Sequence, residues 1–343
     1  MRTNKAACLM AVNDLRYIGV PFPERGEDEV LLKVKSCGIC GSDLARVFKK
    51  GTYRFPTVIG HEFSGEIADA DDEALIGKRA AVFPLLPCFG CESCKHESYA
   101  TCENYDYYGS RRDGGMAEYI AVKKWNVLIM PDGLSFDEGA MCEPASVARH
   151  AVKKLGIKEG ESVLITGAGT IGLIAGQWAR SFGAKRVMYV DTDPRKTAAA
   201  ERMGFFKYTG EAVDAFLEGT GASDALVACL KAARPHARGV LMGNPGGKIE
   251  LSQDEYWCIL RKELKLSGTW NSSYGEKEND WRESLSAMAE GRIDVKSLIT
   301  HRFPLSECNK AFSMMKNGDE FFIKVMLHMN VEAEELKRSS PPR

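Results

Sequence analysis

The stretch SVLITGAGTIGLIAGQWA, Ser162 to Ala179, constrains this chain more than any other. Gly167, Gly169 and Gly172 form a G-x-G-x-x-G set between a strand-like apolar run and a helix-like run, and a further strand-like run leads to Asp191. Strand, glycine turn, helix and strand in that order make a βαβ unit, which belongs in a parallel sheet covered by helices. Gly167 permits the tight turn, Gly169 lets backbone approach a pyrophosphate, and Gly172 lets helix pack closely on strand. Thr170 and Ile171 open the helix, whose free N–H groups face the phosphates. Asp191 lies nineteen residues past Gly172, where a carboxylate bonds the adenosine ribose and repels a 2′-phosphate. NAD is therefore expected over NADP, with Arg195 close enough to weaken the preference.

Only nine residues separate Met203 from the strand-like run that starts at Val213. A doubly wound sheet ordinarily spends a strand and a crossover helix there, and a crossover takes a dozen residues or more. One helix is expected to be missing. The first third of the chain reads differently: EVLLKVKS and AEYIAVKK alternate like strands between glycine and proline turns, as in an irregular β-rich domain. EPASVARHAVKKLGI reads as a helix, and the late segment around FFIKVMLHM mixes helix with strand again. The expected division is discontinuous: one domain over 1–145 rejoined by 292–330, an inserted domain over 146–291, and a polar tail over 331–343.

A net charge of -1 gives no bulk attraction to nucleic acid or anionic lipid. The longest apolar run, Val163 to Ala179, has 17 residues and four glycines, short of the roughly 20 a membrane span needs. No signal-peptide pattern opens the sequence. The expected compartment is the cytoplasm, where clustered cysteines hold metal more often than they form disulfides.

Against that background PCFGCESCKHESYATC carries Cys88, Cys91, Cys94 and Cys102 with spacing C-x2-C-x2-C-x7-C. Four thiolates on short loops close a tetrahedron around Zn2+ and leave no open position, which makes a structural site. Disulfides, an iron–sulfur cluster and a nucleic-acid finger are the alternatives. The finger lacks a basic stripe, because acids are interspersed through the lobe. His96 within the lobe is expected to face solvent.

A second set is scattered. Cys40, His61, Glu62 and Glu143 offer a thiolate, an imidazole and one or two carboxylates, the donor mix of a catalytic zinc that keeps a position for substrate. Taken singly, each has a bland role as a packing, loop or helix-terminal residue; the dinucleotide turn in the same chain favours the joint one. Cys8, Cys37, Cys142, Cys229, Cys258 and Cys308 are expected to pack in the core.

The blocks CGICGSD, GHEFSGE, the cysteine lobe, DGGMAEYIAV, EPASV and GAGTIG resemble the zinc-containing medium-chain alcohol and polyol dehydrogenases over nearly the whole chain. The resemblance implies an α/β protein with a GroES-like β-rich catalytic domain and a Rossmann-like dinucleotide-binding domain, here with a shortened βα segment. It also implies an active site between the domains, two zinc ions per chain, NAD as cofactor, and dimers or tetramers. Neither nucleic acid nor membrane is expected as a partner. Glu143 resembles the polyol-type ligand, with Glu62 either a ligand or its neighbour. Ser42 is placed to relay a proton and Asp43 to orient an imidazole.

YDYYGSRRDGGMAEY, PLLPCFGCESC and RVFKKG are similar to the galactitol-1-phosphate 5-dehydrogenase branch. Arg111 and Arg112 would suit the phosphate of such a substrate, or else be solvated or paired with Asp113. Unphosphorylated polyols of the sorbitol or L-iditol type, and then L-threonine, are the alternatives. A relative that has lost its active zinc, or a zinc-stabilised nucleic-acid-binding protein, would be the non-enzyme case. Lys262 and Trp270 are weaker candidates for lining the cleft.

Overall fold

The computed structural model describes residues 3–318, 320–329 and 331, so the expected polar tail lies outside the described residues apart from Val331. The chain divides into two units. One comprises Met1–Glu143, Tyr274–Ala289 and Val295–Arg343; the other comprises Pro144–Ser273 and Glu290–Asp294.

The first unit is β-rich. Its larger sheet runs in the order Val127–Ile129, Arg79–Val82, Glu62–Asp69, Glu29–Gly38, Lys324–His328, Ile299–Pro304, and Tyr119–Lys123 also pairs with Glu29–Gly38. Period-two alternation explains the central strand: Val30, Leu32 and Val34 are buried while Leu31, Lys33 and Lys35 are half-buried. The inward side chains join Phe63, Ile67, Val122, Val325 and Leu327 in one core. The late chain thus returns to the early chain as a strand, with Met326 opposite Gly38 and Leu327 opposite Cys37. A small ribbon pairs Leu85–Leu86 with Asp106–Tyr107, and the cysteine lobe is the long loop of that ribbon.

The second unit holds six parallel strands. Their order is Phe206–Lys207, Arg186–Val190, Ser162–Thr166, Val213–Glu218, Ala233–Leu241, Lys265–Gly268. Numbered along the chain this is 3-2-1-4-5-6, the dinucleotide-binding order. The shortened segment keeps its strand but not its helix: two residues pair with Met188 and Tyr189, and residues 208–212 lead straight into the next strand. Tyr208 packs against the sheet cluster of Leu164, Met188 and Phe216, so one aromatic ring fills part of the space a helix would cover. Phe206 is left 44% exposed. No helix among the described residues is long and apolar enough to cross a membrane.

Candidate active site

The cysteine lobe brings its four thiols together. The Sγ atoms of Cys88, Cys91, Cys94 and Cys102 all lie within 4.8 Å of one another. Cys91 and Cys94 approach to 3.5 Å, and Cys88 and Cys94 to 3.9 Å. Thiolates about 2.3 Å from a tetrahedral zinc stand about 3.8 Å apart, so the donor set fits that ion. Backbone N–H groups of Glu103 and Cys94 favour the Cys91 thiolate and bring its pKa down to about 6, whereas burial pushes Cys94 up to about 12. The Cys88 amide donates to Cys102 Sγ at 3.3 Å. His96 is exposed and its Nε2 lies 3.1 Å from Glu92, so the lobe directs it to solvent.

The scattered set converges as well. Cys40 precedes the short helix Gly41–Ala45, while His61 and Glu62 stand at the start of the strand Glu62–Asp69. One donor atom from each of Cys40, His61 and Glu62 lies within 4.8 Å of the other two. Glu143 is outside this tight trio yet buried beside it. Burial pushes its carboxyl up to about 7, with Glu62 adding to the rise and His61 opposing it.

Asp43 organises the group. Wholly buried, it accepts the Cys40 N–H at 3.1 Å and a bond from Arg46 Nη1 at 2.9 Å. Burial would raise its pKa; His61 and Arg46 outweigh that and hold it at about 2. His61 Nδ1 lies 3.3 Å from Asp43 Oδ1 but off the line of a hydrogen bond, so this buried nitrogen has no hydrogen-bond partner among the described residues. Ser42 Oγ accepts from Arg46 Nη1 at 2.9 Å.

Lys324 completes the cluster. It sits on the returning strand, fully buried, with Nζ bonded to Glu62 Oε2 and 3.2 Å from the Ile39 carbonyl. Gly38 makes this approach possible, because a Cβ there would overlap both the Glu62 carboxylate and the Lys324 side chain. A thiol, an imidazole and two carboxyl groups meet one lysine here, while Asp43 is bound by Arg46. This mix of soft sulfur, nitrogen and oxygen donors suits a divalent zinc ion.

The two arginines separate. Arg112 Nε pairs with Asp106 at 3.1 Å, and Asp113 is engaged by Arg54 at 3.1 Å. Arg111 lies between two rings, 4.3 Å from the Tyr53 centroid and 4.6 Å from that of Tyr105, and has no carboxylate partner among the described residues. Tyr105 meets Tyr107 edge-on at 6.3 Å, and Tyr107 in turn packs 5.7 Å from the His61 ring. Arg46 and Tyr107 lay within recognisable blocks that gave neither a role, and Lys324 had no motif to announce it.

In the second unit Gly167 has φ of +88°, and a Cβ on Gly172 would collide with the Gly167 carbonyl, so both positions demand glycine. Gly169 precedes the helix Thr170–Ser181. Asp191 ties this turn together: its carboxylate accepts the amides of Ala168 and Asp193, each at 2.8 Å. Arg195 is bound to Asp193 at 2.9 Å. Lys262 donates to the carbonyls of Leu230 and Lys231, both at 2.9 Å, a helix-capping role in place of the cleft role expected of it. Trp270 is 53% exposed.

A strand-turn-helix dinucleotide motif and two metal-fitting clusters define a zinc-dependent dehydrogenase, and comparison with known proteins agrees. The alcohol dehydrogenase GroES-like domain matches residues 26–132, and the zinc-binding dehydrogenase family matches residues 170–290. The chain belongs to this zinc-binding alcohol and polyol dehydrogenase family and is a nicotinamide-dependent oxidoreductase. A galactitol 1-phosphate 5-dehydrogenase of Escherichia coli K12 is 37% identical over 302 residues, 82% of this chain and 87% of that protein. The crystal structure of galactitol-1-phosphate dehydrogenase from Escherichia coli superposes with a TM-score of 0.87 at 34% identity, covering 94% of this chain and 99% of that one. A zinc-binding dehydrogenase from Sinorhizobium meliloti bound to NADP gives a TM-score of 0.88 at 28% identity, covering 96% and 100%. An alcohol dehydrogenase from Escherichia coli CFT073 complexed with NADH gives 0.87 at 27% identity, covering 95% and 99%.

Proposed function

We propose that this enzyme oxidises a secondary alcohol of a sugar-alcohol phosphate to a ketose phosphate, with galactitol 1-phosphate the favoured substrate and NAD+ the hydride acceptor. The observation that carries the substrate reading is Arg111. Its guanidinium is held between two tyrosine rings and lacks a carboxylate partner among the described residues. Tyr105 and Tyr107 link it to the His61 cluster. A fork of donors held by rings that lead to the metal cluster suits a phosphate carried by the substrate. The similarity to a galactitol 1-phosphate 5-dehydrogenase points the same way.

Cys40, His61 and Glu62 would hold the catalytic zinc, with Glu143 a further oxygen donor beside them. Cys88, Cys91, Cys94 and Cys102 would hold the structural one. When bound, zinc supplies a Lewis acid that acidifies a substrate hydroxyl, and NAD+ accepts hydride from the carbon that bears it. Asp43 and Arg46 anchor the Cys40 turn. Asp43 also lies 3.3 Å from His61 Nδ1 as its nearest counter-charge and would orient the imidazole once that nitrogen turns to donate to it. Ser42 accepts a hydrogen bond from Arg46, which leaves its own proton able to move outward as the substrate's proton arrives. Gly167, Gly169, Thr170, Ile171 and Gly172 would present backbone to the cofactor phosphates. Asp191 would bond the ribose and disfavour a 2′-phosphate.

The test is Arg111→Ala in the zinc-replete enzyme, assayed with galactitol 1-phosphate and with galactitol. Losing a charge-assisted phosphate contact of about 1.5–3 kcal/mol should raise KM for the phosphate ester roughly 10- to 100-fold. KM for galactitol should hold. Equal effects on both substrates would remove Arg111 from phosphate recognition, and a preference of the wild type for galactitol would assign the enzyme to unphosphorylated polyols.

A further inference from the structure

Tyr107 is read from its contacts. Its strand closes the ribbon from which the cysteine lobe hangs, opposite Leu85. Its carbonyl accepts the amides of Ser110, Arg111 and Arg112 at 3.4, 3.0 and 3.2 Å, so the turn that carries Arg111 is built on this residue. Its ring tilts against His61 with centroids 5.7 Å apart. Its hydroxyl lies 3.5 Å from Glu143 Oε1, the outer limit of a hydrogen bond.

We propose that Tyr107 is a positioning residue for the dehydrogenation. Its hydroxyl donates to Glu143 Oε1 and decides which carboxylate oxygen turns toward the metal cluster, while its ring braces the His61 imidazole. The inference rests on Cys40, His61, Glu62 and Glu143 forming the catalytic metal site. Glu62 has Lys324 as counter-charge; Glu143 is equally buried and has the phenol. A buried carboxylate without a donor is costly, and groups that orient a metal's neighbours govern both affinity and rate. The phenol supplies the donor without adding charge to a site already crowded with it.

The experiment compares wild type with Tyr107→Phe, which keeps the ring and removes the donor, alone and combined with Glu143→Gln. Steady-state kinetics of the zinc enzyme and the visible ligand-field spectrum of the cobalt(II)-substituted enzyme are both recorded. Tyr107→Phe should lower kcat about ten-fold, change KM by less than about two-fold and shift the cobalt bands. It should add little further loss in the Glu143→Gln background, because two residues acting as one unit are not additive. A Tyr107→Phe enzyme with wild-type kcat and a superimposable cobalt spectrum overturns the proposal. A wild-type enzyme that binds one cobalt, in the cysteine lobe alone, overturns the reading of the catalytic site and this inference with it.

Discussion

The two metal-fitting clusters are built on opposite plans. The cysteine lobe gathers all its donors from one loop of fifteen residues, on a ribbon two residues wide. The dispersed cluster draws on Cys40, His61, Glu62, Glu143 and Lys324, and the Glu62–Lys324 contact alone spans 262 residues. A local cluster depends on its ion for its shape, because little else fixes a loop. A dispersed cluster is shaped by the sheet that carries it, and the ion is added to a frame that already stands. Structure is therefore the expected loss when the first ion goes, and chemistry when the second does.

Four measurements bear on that contrast. The largest effect is expected from His61→Ala: turnover should fall by a factor of about a thousand or more, since Lewis-acid assistance supplies several kcal/mol. Metal analysis should then find one zinc per chain instead of two, with the urea midpoint nearly unchanged. A large drop in that midpoint would mean that the dispersed cluster holds the fold after all.

Cys102→Ser tests the other side. With one of four thiolates gone, the lobe should lose its ion and the protein roughly 3 kcal/mol or more of stability, read from urea unfolding of the zinc-loaded protein. Full stability with one zinc lost would make the lobe an ornament of the fold.

Lys324→Met sharpens the comparison. In zinc-free protein it leaves the Glu62 carboxylate buried without its counter-charge, at a cost of about 3 kcal/mol or more. Zinc should restore much of that, so the thermal shift on zinc addition should be larger in the variant than in wild type. An equal shift would place the ion's charge elsewhere.

The smallest effect concerns a dispersed cluster that contains no thiol. Asp137 accepts bonds from Ser36 Oγ at 2.6 Å and Arg302 Nε at 2.8 Å, and lies 2.8 Å from His328. Burial would raise its pKa, but these partners hold it well below the usual carboxylate range. A depressed folded-state pKa gives stability that is present above the unfolded value, about 3.9, and is lost as pH falls below it. Acid unfolding of Asp137→Asn should therefore show a shallower loss of stability below about pH 4 than wild type. Parallel acid limbs would remove Asp137 from the account.

The same contrast governs what the sequence alone made legible. Spacing announced the cysteine lobe and the glycine turn, because a loop or a βαβ unit writes its geometry into consecutive residues. Counting nine residues after Met203 also revealed the missing helix, although the two-residue strand Phe206–Lys207 was too short to leave a pattern. Lys324 was invisible. In FFIKVM it reads as an ordinary strand lysine, and only the register of that strand against Gly38 brings it to Glu62. Arg111 and Arg112 are alike in sequence, and only the positions of Asp106, Tyr53 and Tyr105 tell them apart. Tyr107 belonged to a recognisable block, but its approach to Glu143 is a tertiary fact.

The return of the strand Lys324–His328 also sets a clock on the newborn enzyme. Ribosomes add about 5–20 residues per second, so the 262 residues between Glu62 and Lys324 take roughly 13 to 50 s to make. Within that interval the cysteine lobe is completed and the whole dinucleotide-binding unit emerges, while Glu62 still waits for its lysine. The lobe can mature on the nascent chain; the dispersed cluster closes only once Lys324 has emerged.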